Sequence, residues 1–367
     1  MFYKLQALRG IAACILVFYK SPFSVFNEKT NFMISSYLFV DLFFILSGFV
    51  LSHAYAKAIE DGISFKGFML LRWVRVYPLH FFVLLLFIVY EGLRLTVLGG
   101  SPEAERSLFA VLTNVLLIQS LGVHDTLTWN TPSWSISVEF YCYIAFFVLL
   151  KTLDNRYRLW SPAIGAAVCY GFLVAIGKDN LNITYDWGIV RCLGGFYLGV
   201  FIYRFSQAKP ALLKTCDIVP LELLTALSVI LAVSFAHLGW FFELSAIASF
   251  GLSVYVFSAS KSGPVGSIFL TKPLQYLGEW SYSIYMIHLL VWTVVTAGLL
   301  TVMQLSVDEI TGLFALAVAL GVFAVSVVAS VITYRYVENW PRQWVKRKFF
   351  GQSKPRPTFA KPHHPAS

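Results

Sequence analysis

Apolar runs long enough to cross a bilayer recur along the whole chain, separated by short polar stretches. They fall at 5–22, 33–56, 74–98, 134–151, 160–177, 188–205, 219–238, 241–260, 276–303 and 309–335. Each predicts a helix, because lipid leaves a spanning segment to satisfy its backbone polar groups internally. A further apolar piece at 108–121 is too short to cross and reads as re-entrant or interfacial. Ten spans place both termini on one side. With the N-terminus inside, the inner segments collect Lys4, Lys57, Lys66, Arg72, Arg75, Lys151, Arg156, Arg158, Arg204, Lys209, Lys214, Lys261, Lys272 and the basic stretch from Arg335 onward. The outer side or outer halves keep Lys20, Lys29, Arg94, Arg106, Lys178 and Arg191. This bias predicts an all-α polytopic membrane bundle of about ten helices with both ends cytoplasmic.

Composition agrees: 58% of the 367 residues are hydrophobic and 13% charged, more apolar surface than one soluble core could hide. The formal charge of +9 does not indicate nucleic acid, since the basic residues sit in short loops rather than on a recognisable basic module. Lys4 followed by the first apolar run reads as a signal anchor without a cleavage site. Residues 1–350 form the transmembrane domain; the stretch 351–367, rich in proline and lysine, is expected to be a disordered cytoplasmic tail. Its adjacent His363 and His364 read as solvated rather than as a metal site. The five cysteines stand singly without ligand spacing and read as packing residues. No internal repeat stands out, which weighs against a transporter built on duplicated halves.

Charged residues inside the apolar runs are the candidates for chemistry, because a charge in hydrocarbon costs at least a few kcal/mol and is seldom there without a role or a partner. The first run carries Arg9 and Lys20 with no acid between them; eleven residues at about 1.5 Å each separate them by roughly 16 Å along the axis. In the first inner loop Arg72 and Arg75 stand at i and i+3, a spacing that can fork onto phosphate oxygens or equally serve as positive-inside anchoring. Asp41 falls in the outer half of the second run, as a functional carboxylate or as half of an ion pair. Glu139 lies five residues beyond Trp134 in the fourth run, roughly 7 to 8 Å deep and beside the outer part of the first. His288, about twelve residues into the ninth run, reaches a depth similar to Lys20. Ser135, Ser137 and Ser47-Gly48 read as packing, and Arg335 with Glu338 as a local i, i+3 ion pair.

Leu8-Arg-Gly-Ile-Ala12, Val40-Asp-Leu-Phe-Phe-Ile-Leu-Ser-Gly-Phe49, Arg72-x-x-Arg75 with Pro78, Pro132-Ser-Trp-Ser-Ile-Ser-Val-Glu139, Tyr282-Ser-Ile-Tyr-Met-Ile-His288 and Tyr334-x-x-x-Glu338-x-x-Pro341 occur in this order along nearly the whole chain. Together they resemble the integral-membrane acyltransferase 3 family. The resemblance implies a multi-pass enzyme of the bacterial inner membrane. Such an enzyme takes an acyl group, often acetyl, from cytoplasmic acyl-CoA and places it on a hydroxyl of lipopolysaccharide, capsule, glucan or another exported carbohydrate. Some relatives acylate small natural products such as macrolides. Acyl-CoA is then a substrate rather than a resident cofactor, no metal is implied, and the partners are the acceptor glycan and membrane lipids. Joined to that resemblance, the residues predict one central cavity open to the cytoplasm, lined by Arg9, Arg72 and Arg75 for the donor's phosphates, with the thioester reaching toward position 20 and Asp41, Glu139 and His288 nearby as polar or acid/base groups.

The family pattern places a histidine, taken as the catalytic base, ten intervening residues after the first-run arginine. Here that position is Lys20. An imidazole accepts a hydroxyl proton near neutrality, whereas an ammonium holds its own unless desolvation strips it. Three accounts follow: a substituted, inactive form; a divergent member with altered activity; or a desolvated Lys20 in the imidazole's place. From residue type alone, Lys20 before Ser21-Pro22 also fits a lysine snorkelling into headgroups. Two rival functions differ in class: an exporter or flippase of an acylated or lipid-linked sugar, which would move substrate without transfer, and a non-catalytic acyl-CoA-binding membrane protein, which would bind without turnover.

Overall fold

The computed structural model describes residues 2–23, 30–97, 99–152, 157–209 and 216–350; the tail at 351–367, with its histidines, lies outside the described residues. Among the described residues all regular structure is helical. The main helices are α1 (Tyr3–Tyr19), α2 (Phe39–Glu60), α3 (Phe65–Thr96), α4 (Leu108–Val115), α5 (Trp134–Thr152), α6 (Ser161–Ala175), α7 (Gly188–Ala208), α8 (Ile218–Phe235), α9 (Trp240–Phe257), α10 (Lys272–Met303), α11 (Gly312–Thr333) and α12 (Trp340–Phe350). Among the described residues eight helical stretches are long and apolar enough to cross a membrane, and α1 and α6, of 17 and 15 residues, account for the other two predicted runs. The protein is an all-α, multi-pass membrane bundle.

Two pairs of parallel helices frame its centre. Gln6 Nε2 donates to Gln275 O at 3.0 Å and Trp292 Nε1 to Val17 O at 2.8 Å, so α1 and α10 run in the same direction. Their backbones touch: a Cβ on Gly278 would lie 2.1 Å from Gln6 O, and one on Gly10 2.6 Å from Gly278 N. Helices α2 and α7 pack equally closely, since a Cβ on Gly48 would lie 2.0 Å from Phe196 O and one on Gly199 2.0 Å from Ile45 O. Small residues permit this approach where no hydrophobic force separates protein from lipid. The packing role read for Gly48 is thus seen in the backbone itself.

Three local features depart from the sequence reading. Helix α3 starts at Phe65, not near 74, because the Ser64 hydroxyl caps it by accepting from Gly67 N at 3.1 Å. Arg72 and Arg75 therefore sit within a helix and not in a loop. Helix α4 has eight residues, about 12 Å, too short to cross. After it the chain turns back through left-handed backbone at Leu117 and Trp129, and Ser137 Oγ fastens it by donating to Leu117 O at 2.7 Å. Finally, Tyr334–Asn339 is a π-helical segment. Its wider turn swings Glu338 into the bundle, 1% exposed, while Arg335 lies against the Tyr336 ring. The local Arg335–Glu338 pair expected from spacing is replaced by a long-range one.

Candidate active site

That long-range partner is Arg75. Arg75 Nη1 pairs with Glu338 Oε1, and Ser283 Oγ donates to the other carboxylate oxygen at 2.9 Å, so α3, α10 and the π segment are tied at one point. One turn earlier on α3, Arg72 donates to Tyr55 Oη and stacks on that ring at 4.4 Å, and its buried Nε has no partner among the described residues. Helix α5 brings Glu139 opposite, where Ser47 Oγ and Tyr143 Oη donate to Oε1, the latter at 2.8 Å. Ser47, read as packing, is thus also a hydrogen-bond partner of the buried acid. Arg9, Arg72, Arg75 and Glu139 line one cavity of about 110 Å³.

Lys20 and His288 line a second cavity, of about 160 Å³. The wall between the two is short: Tyr285 lines both, and its hydroxyl bonds Pro132 O at 2.9 Å and Ser135 Oγ at 3.0 Å. Phe43 stands edge-on to the Tyr285 ring, centroids 5.6 Å apart. Helix α5 runs past this wall, with Trp134 lining the second cavity and Ser135, Ile136 and Glu139 the first. Glu139 therefore lies with the arginines and not beside position 20, where depth along a straight helix put it. A single cavity running from arginines to Lys20 is replaced by two with a common wall.

The polar groups on and behind the wall of the second cavity are of two kinds. Asp41 and Arg191, 0% and 1% exposed in their side chains, form an ion pair at 2.6 Å with Nε also bonded to both carboxylate oxygens. Arg191 Nη1 further donates to Ile183 O at 3.1 Å and Nη2 to Tyr37 O at 3.2 Å, which satisfies every guanidinium nitrogen. Of the two readings of Asp41, the ion pair is the one the geometry displays. His288 is different. Its Nδ1 lies 3.2 Å from Ile284 O, and a carbonyl can only accept, so in the neutral ring Nδ1 carries the proton and Nε2 the lone pair. That Nε2 is buried with no partner among the described residues. Lys20, half-buried, has no ion pair there either, its Nζ lying 5.3 Å from the Tyr19 ring centre.

Three features escaped the sequence reading: Tyr285 as the shared wall, Ser47 and Tyr143 as the bonds that hold Glu139, and Arg191 as the partner of Asp41. The last had a signal, since two lone charges of opposite sign stood in the outer halves of their runs.

This multi-pass helical membrane protein thus sets an arginine-lined cavity against one that holds an open imidazole. The comparisons supply the class: residues 2–335 match the acyltransferase domain of the acyltransferase 3 family, and the chain belongs to it. It is thereby an acyltransferase for groups other than amino-acyl groups. Acyltransferase MdmB of Streptomyces mycarofaciens is 26% identical over 336 residues, 74% of this chain and 77% of the relative. Protein 2 in the picA locus of Rhizobium radiobacter is 35% identical over 151 residues, 38% of this chain and 76% of the relative. Peptidoglycan O-acetyltransferase OatA of Listeria monocytogenes is 23% identical over 318 residues, 80% of this chain and 49% of the relative. No solved structure matches the chain.

Proposed function

We propose that this chain transfers an acyl group, acetyl in the simplest case, from acyl-CoA on the cytoplasmic side to a hydroxyl of a cell-envelope or exported carbohydrate. The observation that carries the reading is the meeting of two cavities at Tyr285, one lined by Arg9, Arg72 and Arg75 and the other by His288 and Lys20. The arginines suit the donor's phosphates, because guanidinium groups bind phosphate oxygens bidentately. The activity of the Listeria relative, O-acetylation of peptidoglycan, supports a carbohydrate acceptor.

In this reading the base is His288. The acceptor hydroxyl gives its proton to His288 Nε2 as its oxygen attacks the thioester carbonyl; the carbon–sulfur bond then breaks, and the leaving thiolate takes the proton back from the imidazolium. Nδ1, tied to Ile284 O, keeps Nε2 the accepting nitrogen. Lys20, protonated, accepts no proton.

The test is transfer of labelled acetyl from acetyl-CoA into envelope carbohydrate by membranes carrying the protein, with acetyl-CoA binding measured in parallel. Arg72→Ala removes a charged donor set and weakens acetyl-CoA binding by about tenfold or more without unfolding the protein. Unchanged affinity in both Arg72→Ala and Arg75→Ala would remove the donor from this cavity.

A further inference from the structure

On the wall of the second cavity one of the two cations, Lys20, has no answering acid among the described residues. Two charged side chains line it, Lys20 and Arg191. Arg191 is fully engaged by Asp41 and two carbonyls, and Asp41 spends both oxygens on Arg191. The next carboxylate behind the wall is also committed: Glu243 accepts from Tyr37 Oη through one oxygen and from Leu181 N, at 2.9 Å, through the other. Lys20 is left as a cation with no acid bonded to it among the described residues. Such a charge in an apolar helix is retained where something that binds answers it. Beside it the cavity offers neutral hydrogen-bonding walls, Asn182 and Thr184, and the open His288 Nε2.

We infer that the second cavity is the acceptor site and that it selects an acidic sugar: a hydroxyl compound bearing a carboxylate or phosphate, which Lys20 Nζ pairs with while His288 Nε2 faces the hydroxyl. This rests on the acyltransferase reading above and adds the acceptor's charge to it. A histidine at position 20 would answer that acceptor charge only in its protonated form, in which it could not also serve as base. The substitution therefore changes what the cavity holds, and base chemistry falls to the imidazole already present. The ammonium has three donors, enough to bridge a carboxylate and one neighbouring hydroxyl.

The experiment is equilibrium binding of glucuronate, glucose 1-phosphate and glucose to the full chain in neutral detergent, with acetyl-CoA binding recorded on the same samples. Glucuronate or glucose 1-phosphate is expected to bind about tenfold or more tighter than glucose. Lys20→Met is expected to abolish that preference, bringing the charged sugars to the affinity of glucose, and Lys20→Arg to keep it. Whichever of the two anions binds tighter identifies the acidic group. Equal affinity for charged and neutral sugars, no binding of any sugar, or a preference that survives Lys20→Met would overturn the inference. So would stabilisation of the parent chain, but not of Lys20→Met, by phosphatidylglycerol alone, since Lys20 would then be a headgroup anchor. The two readings fail separately: acetyl-CoA binding without charge selection sinks only the acceptor site, and charge selection without acetyl-CoA binding sinks only the donor site.

Discussion

The Asp41–Arg191 pair, whose arginine lines the second cavity, and the Lys20–His288 pair, which lines it with both members, answer their polarity in opposite ways. In the first pair every nitrogen of the guanidinium and both carboxylate oxygens are bonded within the protein. In the second, one imidazole nitrogen is tied to the backbone and the other meets no partner among the described residues, while the ammonium faces only the Tyr19 ring and no acid. A buried polar group left open costs free energy that a closed one does not, so open groups persist where a ligand completes them. The closed pair holds α2 to α7; the open pair is where binding and proton transfer can occur. The arginine cavity mixes the two kinds. Arg75 is closed on Glu338, while the Arg72 Nε is open.

The sharpest way to break this contrast is to remove half of the closed pair. Asp41→Ala leaves Arg191 buried and unpaired and is expected to cost about 3–5 kcal/mol, a large part of the stability of a typical fold. Thermal unfolding in detergent reads it, and the protein should fail to accumulate in membranes. A variant as stable as the parent but without transfer would move Asp41 from the framework to the chemistry.

Acting on the open pair should do the reverse. His288→Gln is expected to preserve folding and to lower acetyl transfer by about a hundredfold or more, the range that a positioned general base supplies. The double variant Lys20→His with His288→Gln separates the two positions for the base. Recovery of transfer in the double variant would place the base at position 20, in keeping with the family pattern, and withdraw it from His288.

How much of this was legible in the sequence follows the same division. The ten runs were readable because a spanning helix must be apolar over its length, whatever it packs against. Pairing was not, because it depends on the direction in which a side chain leaves its helix. Glu338 shows this: three residues after Arg335, it reads as a local partner, yet the π segment turns it onto Arg75. Glu139 shows it for depth, since five residues of α5 carry the chain from one side of the Tyr285 wall to the other. The start of α3 was within reach, as Ser64 before Phe65 is a capping residue where the helix begins.

The wall itself gives the smallest and most discriminating effect. Tyr285→Phe keeps the ring that lines both cavities and its edge contact with Phe43, and deletes only the hydroxyl bonded to Pro132 O and Ser135 Oγ. Loss of one buried hydrogen bond is expected to lower stability by about 1 kcal/mol, read as a small shift in the unfolding temperature. If the hydroxyl only holds the start of α5 in place, transfer should fall by no more than that structural loosening explains, and acetyl-CoA binding should stay as it was. If transfer falls tenfold or more at unchanged stability, the hydroxyl acts where donor and acceptor meet, and Tyr285 joins His288 in the chemistry. The division between closed and open groups would then run through a single side chain, its ring structural and its oxygen engaged with the reacting carbonyl.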